Sequence, residues 1–263
     1  MRKSLHWLHE CFSLFLALSM LGGACLAWSI LALALGFVLP EKARKPVGRS
    51  GISIGFRVYL WLLRRCCACH FDLTELDKLR GAGPLIIAPN HPSLLDAFMV
   101  LSRLPGVACV TKARLLDNLF LGAGARLAGF IRNDQFIGMV KHAIAELAQG
   151  QQLLLFPEGT RSAADSLAGF KGSVSVIACR AQVPVQLVLI ECDSHFLGKG
   201  WPLLRRPRLP VHFRIRLGSR LEPGHDPAAF SAELQSRFRE ECGKAEASFP
   251  TNSVVGKLKE LVS

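Results

Sequence analysis

The chain has 263 residues, 50% of them apolar, and carries 32 Lys and Arg against 20 Asp and Glu, a formal charge of +12. That apolar content excludes a disordered chain, the lack of a Gly-x-y period excludes collagen, and the density of charges excludes a polytopic transporter. A chain both basic and apolar suits nucleic acid or an anionic membrane, and the positions of the two kinds of residue separate these readings.

The apolar excess lies at the N-terminus. No side chain from Cys11 to Pro40 is charged. As a helix this stretch spans roughly 45 Å, more than a ~30 Å hydrocarbon core requires. Ala24-Cys25-Leu26-Ala27 resembles a signal-peptide cleavage site, but Trp28 to Val38 continues the apolar run beyond it, so the stretch reads as a retained anchor. It forms either a single tilted span or a hairpin that breaks at Gly22-Gly23. Arg2 and Lys3 precede it, and Lys42, Arg44, Lys45 and Arg49 follow, which places the remainder of the chain in the cytosol. Pro40 to Arg49 reads as a short basic linker. Gly51 to Leu63, interrupted by Arg57, reads as an interfacial or amphipathic surface helix. Residues 1–63 are thus expected to anchor the protein, and residues 64–263 to form a separate domain.

From Phe71 onward, short apolar runs alternate with helical stretches. Pro84–Ala88, Val107–Thr111, Gln152–Phe156, Val183–Ile190 and Val211–Leu217 have the character of strands. Gln135–Gln149 carries Ile137, Val140, Ile144 and Leu147 on one helical stripe, and Asp226–Glu240 reads as a helix with a polar face. This alternation implies an α/β domain with a mostly parallel central sheet flanked by helices.

Four segments carry residues suited to chemistry. Asn90-His91-Pro92-Ser93-Leu94-Leu95-Asp96 follows the first of these strands. Pro92 disfavours helix at His91 and fits the first helical position, leaving His91 in a strand-to-helix turn with Asp96 able to lean back toward it. A His held by a carboxylate is a general base near neutral pH. The plain alternative is an Asp that caps a helix beside a solvated His. Phe156-Pro157-Glu158-Gly159-Thr160-Arg161-Ser162 follows a second strand and clusters polar groups where open α/β sheets bind ligands. Gly129-Phe130-Ile131-Arg132 offers a guanidinium fork for phosphate or else a solvated Arg. Phe170-Lys171-Gly172-Ser173 leads into an apolar helix whose N-terminus suits an anion.

Taken in order, and with Val183-Pro184-Val185, these segments resemble the glycerophospholipid acyltransferase family typified by 1-acylglycerol-3-phosphate acyltransferase. The resemblance covers roughly Leu85 to Ile190. It implies acyl transfer from acyl-CoA or acyl-carrier protein to a lysophospholipid hydroxyl, without cofactor or metal. It also implies a set of roles. His91 would be the general base and Asp96 its orienting carboxylate. Arg132 would face the acceptor phosphate. Asn90, Glu158, Gly159, Thr160, Arg161 and Lys171 would complete the substrate site. Val183-Pro184-Val185-Gln186-Leu187 lacks the family's common second proline, and Lys171-Gly172-Ser173 replaces Lys-x-Gly. Both departures bear on the acceptor, since relatives also acylate lyso-ornithine lipids.

Other chemistries are not signalled. Gly-x-Ser-x-Gly and a Walker loop are absent, and Gly122-Ala123-Gly124 with Gly129 misses dinucleotide spacing. Cys66, Cys67, Cys69 and His70 suggest half a zinc site with no second half. The nine cysteines are expected to be reduced and structural in a cytosolic body. Ser194 to Arg220 holds seven Lys and Arg and no acid. A basic non-enzymatic nucleic-acid protein would use such a segment, but aromatic interleaving is limited to Phe196, Trp201 and Phe213. With the apolar N-terminus already at a bilayer, a membrane-facing or carrier-facing patch is preferred. The expected setting is therefore an anionic cytoplasmic membrane, with the catalytic domain on its cytosolic face and no nucleic-acid partner.

Overall fold

In the computed structural model, which describes residues 2–119, 121–161 and 170–248, a seven-stranded sheet separates two helical layers. The strands are β1 (Cys69–Asp72), β2 (Ile86–Pro89), β3 (Ala108–Thr111), β4 (Ile131–Arg132), β5 (Leu153–Leu154), β6 (Val185–Cys192) and β7 (Val211–Leu221). Their order is β1-β7-β6-β2-β5-β3-β4, and only the β6–β7 pair is antiparallel. The helices are α1 (Arg2–Val38), α2 (Glu41–Cys66), α3 (Asp96–Arg103), α4 (Ala113–Leu116), α5 (Gly122–Leu127), α6 (Phe136–Ala148), α7 (Ser173–Ala181) and α8 (Pro227–Ser248). The expected α/β architecture is present.

The central strands are apolar at nearly every position because both faces are covered. Ile86 and Ala88 enter one core while Ile87 enters the other, and Val185, Leu187 and Leu189 alternate in the same way with Val188 and Ile190. Side chains from α2 and α3 fill the first core, and those from α6, α7 and α8 fill the second. On α8 the spacing Phe230, Leu234, Phe238, Cys242 lines up one buried stripe, which is the apolar side of the helix expected there. Two strands escaped the sequence reading. Cys69–Asp72 is half polar and exists by pairing with β7, and β4 has two residues.

The N-terminal region settles one reading that the sequence left open and departs from another. First, α1 runs unbroken through Gly22-Gly23, so the chain does not turn there. Both glycines sit inside an apolar helix with open space around them, and the reversal comes instead at Leu39-Pro40. Second, the basic linker is helical. Pro40 is the extended residue before α2, and Glu41 to Arg49 form its first turns, continuous with the helix read over Gly51 to Leu63.

These turns are ordered because their charges have partners remote in sequence. Glu146 on α6 accepts from Lys45 at 2.6 Å and from Arg49 at 2.7 Å, and Arg49 also donates to the Ala128 carbonyl at 3.0 Å. Burial raises the Glu146 carboxyl, but the two cations outweigh it and hold the group below its ordinary range. Gly48 allows the close approach, since a Cβ there would fall 2.5 Å from the Ala128 backbone nitrogen.

Helix α1 packs antiparallel on α2. Ser13 donates to the Cys66 carbonyl and Tyr59 to the Ala17 carbonyl, while Trp28 lies against Gly51 and Gly124. The far side of α1 has no covering layer, leaving Phe12, Phe15, Ile30, Leu33 and Phe37 exposed. Among the described residues α1 is the one helix long and apolar enough to cross a membrane.

Glu146→Ala leaves the buried Arg49 uncompensated. We expect it to destabilise the protein by roughly 3–5 kcal/mol, read as a lower Tm in detergent. A change below 1 kcal/mol would refute a structural role for the pair.

Candidate active site

All parallel strands end on the same edge of the sheet, so the residues after β2, β5 and β6 meet there. Beyond β2, the Asn90 amide accepts from the Ile190 backbone at 2.6 Å and donates to its carbonyl at 2.9 Å. Asn90 thereby extends the β2–β6 pairing by side chain. The same bonds fix where the chain leaves the sheet.

His91 follows. Its Nδ1 lies 2.8 Å from Asp96 Oδ2, and its ring stacks on Phe156 at 4.2 Å between centroids. In the neutral ring, the tautomer that donates from Nδ1 to the carboxylate has Nε2 as its acceptor nitrogen. No bond occupies Nε2 among the described residues, and the side chain is 19% exposed. The turn differs from expectation, because Pro92 does not begin the helix and α3 starts at Asp96 itself. The amides of residues 93–94 point elsewhere: Ser93 N–H donates to Asp96 Oδ2 at 2.7 Å, and Leu94 N–H donates to the Leu197 carbonyl at 3.1 Å.

Asp96 is fully buried. Burial pushes its carboxyl up to about 6, and bonds from His91 and Ser93 N–H with the nearby charge of Arg161 offset only part of that rise. Raised from 3.8, this acid costs the fold up to about 3 kcal/mol while ionised. The penalty is complete above about pH 6 and vanishes below about pH 4.

Phe156 to Arg161 lies beside this turn, after β5. Glu158 is buried, Thr160 is half-buried, and Gly159 has φ +64°. A Cβ at Gly159 would fall 2.8 Å from Cδ of Lys171, so the two motifs meet there. Lys171 itself precedes α7, whose start matches the expected position. Arg161 donates at 2.8 Å to both the Leu197 and Gly198 carbonyls. Ser162, the last residue of the motif, lies outside the described residues.

Arg132 is set apart from this cluster. It ends β4, the outermost strand, and holds Asp117 and Asp134 at 2.9 Å each in an exposed network. Its hydrogen bonds to Asp134 and Asp117 raise its guanidinium further above its ordinary value.

Sequence reasoning missed the segment Phe196–Gly198. Ser93 Oγ donates to the Phe196 carbonyl at 3.1 Å, and the bonds of Leu94 and Arg161 complete a clasp over the His91 turn. Leu197 has φ +57°, and nothing local in an apolar Phe-Leu pair marks such a turn.

A family model described as Acyltransferase matches residues 70–191. The 1-acyl-sn-glycerol-3-phosphate acyltransferase of Helicobacter pylori is 30% identical over 190 residues, 68% of this chain and 78% of that protein. The chain belongs to the acyltransferase family. The counterpart of that enzyme in Pseudomonas aeruginosa is 25% identical over 83% of this chain and 84% of its own length. A lyso-ornithine lipid O-acyltransferase of the same organism is 30% identical over 68% and 75%. The solved structure of PlsC from Thermotoga maritima, a 1-acyl-sn-glycerophosphate acyltransferase, superposes with a TM-score of 0.69 over 95% of this chain and 100% of that one. At 19% identity that likeness shows the fold alone. The family makes this acyltransferase an O-acyl transfer enzyme.

Asp96→Asn removes the buried charge while keeping an acceptor for Ser93 N–H. We expect the variant acyltransferase to melt a few degrees higher than the parent at pH 7–8 and to lose that advantage near pH 4. A lower Tm throughout would show that ionised Asp96 stabilises the turn.

Proposed function

We propose that this acyltransferase moves a fatty acyl group from a thioester donor, acyl-CoA or acyl-carrier protein, to the free hydroxyl of 1-acylglycerol-3-phosphate, giving phosphatidate for phospholipid synthesis. The observation that carries this reading is the 2.8 Å contact between His91 and a buried Asp96, with Nε2 left open at the ligand-binding edge of the sheet. Acyl transfer to an alcohol needs a base for the hydroxyl proton and positive groups for the oxyanion and the phosphate. His91 Nε2 takes that proton as the acceptor oxygen attacks the thioester carbonyl. Asp96 holds the imidazole and stabilises the imidazolium that forms. When the tetrahedral adduct collapses, the C–S bond breaks and His91 returns the proton to the departing sulfur.

Arg132 is the proposed phosphate fork. Its pairs with Asp117 and Asp134 are solvent-exposed and readily exchanged for a phosphate. Lys171 and Gly159 border the acceptor, Glu158 and Thr160 shape the turn beneath it, and Arg161 and Asn90 hold the flanking backbone.

Residues 1–63 are the proposed membrane anchor and residues 64–263 the catalytic domain, on the cytosolic face of an anionic cytoplasmic membrane. Contacts from Glu10 to Ala32 hold α1 along the body. That supports a helix lying in one leaflet with its uncovered face toward lipid. Lyso-ornithine lipid is a second acceptor reading, favoured by the 30% identity to an enzyme of that name and by the altered block after Val183.

His91→Ala is expected to lower transfer from labelled donor about 10²–10⁴-fold with the fold intact by circular dichroism. Undiminished transfer would remove the base assignment. Arg132→Ala is expected to raise KM for lysophosphatidate at least tenfold while changing that for lyso-ornithine lipid less than twofold. Equal effects on the two acceptors would refute the phosphate role.

A further inference from the structure

The seven cations between Ser194 and Arg220 are not equivalent. Arg214 and Arg216 are bound to the buried carboxylate of Glu191, at 2.8 and 2.5 Å. Arg220 lies at the limit of ion pairing with Glu222, and Arg206 pairs with Glu10 of α1. Lys199, Arg205 and Arg208 have no carboxylate partner among the described residues, and all three are exposed. Between them stand Leu203 and Leu204, 53% and 69% exposed.

This loop has a defined shape. Arg205 N–H donates to the Pro202 carbonyl and closes a turn with the two leucines at its tip. Trp201 donates from Nε1 to the Arg205 carbonyl at 3.1 Å, and its ring lies under the Arg205 guanidinium and edge-on to Phe196. Two anchors hold the turn. Glu10, 3% exposed, takes Arg206 and the Leu209 backbone N–H, which ties the loop to α1. The Phe196–Gly198 clasp ties its other end to the His91 turn.

We infer that the turn Trp201–Arg208 is a second bilayer-docking element, separate from α1, which inserts Leu203 and Leu204 among the acyl chains of an anionic leaflet while Lys199, Arg205 and Arg208 bind lipid headgroups. Leucines ringed by unpaired cations match the boundary between chains and anionic headgroups. An acidic carrier protein would account for the cations but not for two adjacent exposed leucines attached to the membrane helix. The inference rests on the proposed membrane seating of this acyltransferase. It adds that the leaflet bearing the acceptor is gripped beside the catalytic turn as well as at α1.

Trypsin cuts after Lys199, Arg205 and Arg208, so the loop reports its own protection. The full-length protein is placed in vesicles of phosphatidylcholine with 30% phosphatidylglycerol and, separately, in neutral detergent micelles, and cleavage is followed by mass spectrometry. We expect these three cuts to be at least tenfold slower on the vesicles. Leu203→Glu with Leu204→Glu, both at exposed positions, should restore the micelle rate without changing Tm or the cut after Arg114. Transfer to vesicle-borne acceptor should fall at least tenfold in that variant, and transfer to micellar acceptor less than twofold. Equal cleavage on vesicles and micelles, or protection by acidic carrier protein in place of vesicles, overturns the inference. Cleavage needs no turnover, so a chain that fails to transfer acyl groups would refute the proposed function and leave the docking test readable.

Discussion

A carboxylate sealed from water sits at the centre of this molecule's arrangement, and much of the rest serves to put it there. Asp96 begins α3 directly beneath the end of the central strand β2, and its two bonds, to His91 Nδ1 and Ser93 N–H, close a turn of six residues. Neither bond would orient anything if water could compete for the oxygen. Exclusion of water comes from three directions: the aromatic face of Phe156 after β5, the Phe196–Gly198 segment after β6, and the core packed under Leu95 and Met99. The sheet order explains why these converge, since β5 and β6 are the two neighbours of β2. A raised acid paired to a histidine is a poor stabilising device and a suitable one for holding an imidazole in one tautomer.

The layering of the N-terminal helices follows from a similar balance. Helix α2 has a covered side and an open side. Ile52, Tyr59, Leu60 and Leu63 are buried, while Ile54, Val58 and Trp61 remain exposed. Helix α1 covers only part of what α2 leaves open and adds a larger apolar surface of its own. A surface of this extent in water would drive association. On the proposed bilayer it becomes the seat of the enzyme, in the medium that would hold the chain of the proposed lysophospholipid acceptor.

Much of the fold was legible in the sequence because the strands β2, β5 and β6 are buried on both faces, which writes them as largely apolar runs, with Gln186 and Glu191 the polar exceptions in β6. The site was legible where its partners are close in the chain: His91 and Asp96 stand five residues apart, and a proline between them marks the turn. Legibility failed where partners are distant. Lys45 and Arg49 read as linker charges because Glu146 lies about a hundred residues away. The clasp at Leu197 depends on Leu94 and Arg161, and neither has any local signature pointing to it. Strand β1 is polar at alternate positions and short, so only β7 beside it reveals it. Gly22-Gly23 left a continuous helix and a hairpin equally open, because glycine breaks a helix only where the surroundings offer something better than continuing it.

The net charge of +12 takes on a different meaning once the partners are known. Lys45 and Arg49 neutralise one buried acid, Arg206 another, Arg214 and Arg216 a third, and Arg132 bridges two aspartates. Each of these cations is engaged by a carboxylate of the protein itself, at a buried acid for all but Arg132, whose pairs are exposed. The cations on the loop after β6 that have no carboxylate partner among the described residues therefore weigh more than their number, because they are concentrated on one loop beside apolar residues and next to the proposed catalytic edge. A protein basic for nucleic acid spreads unpaired charge along a groove with aromatic stacking platforms. Here Trp201, an aromatic beside these charges, already has the Arg205 guanidinium over its ring and makes a T-shaped contact with Phe196, so these contacts compete with stacking of a base. The local geometry thus argues against the nucleic-acid reading more strongly than composition does, and for the same reason it favours a surface of lipid headgroups.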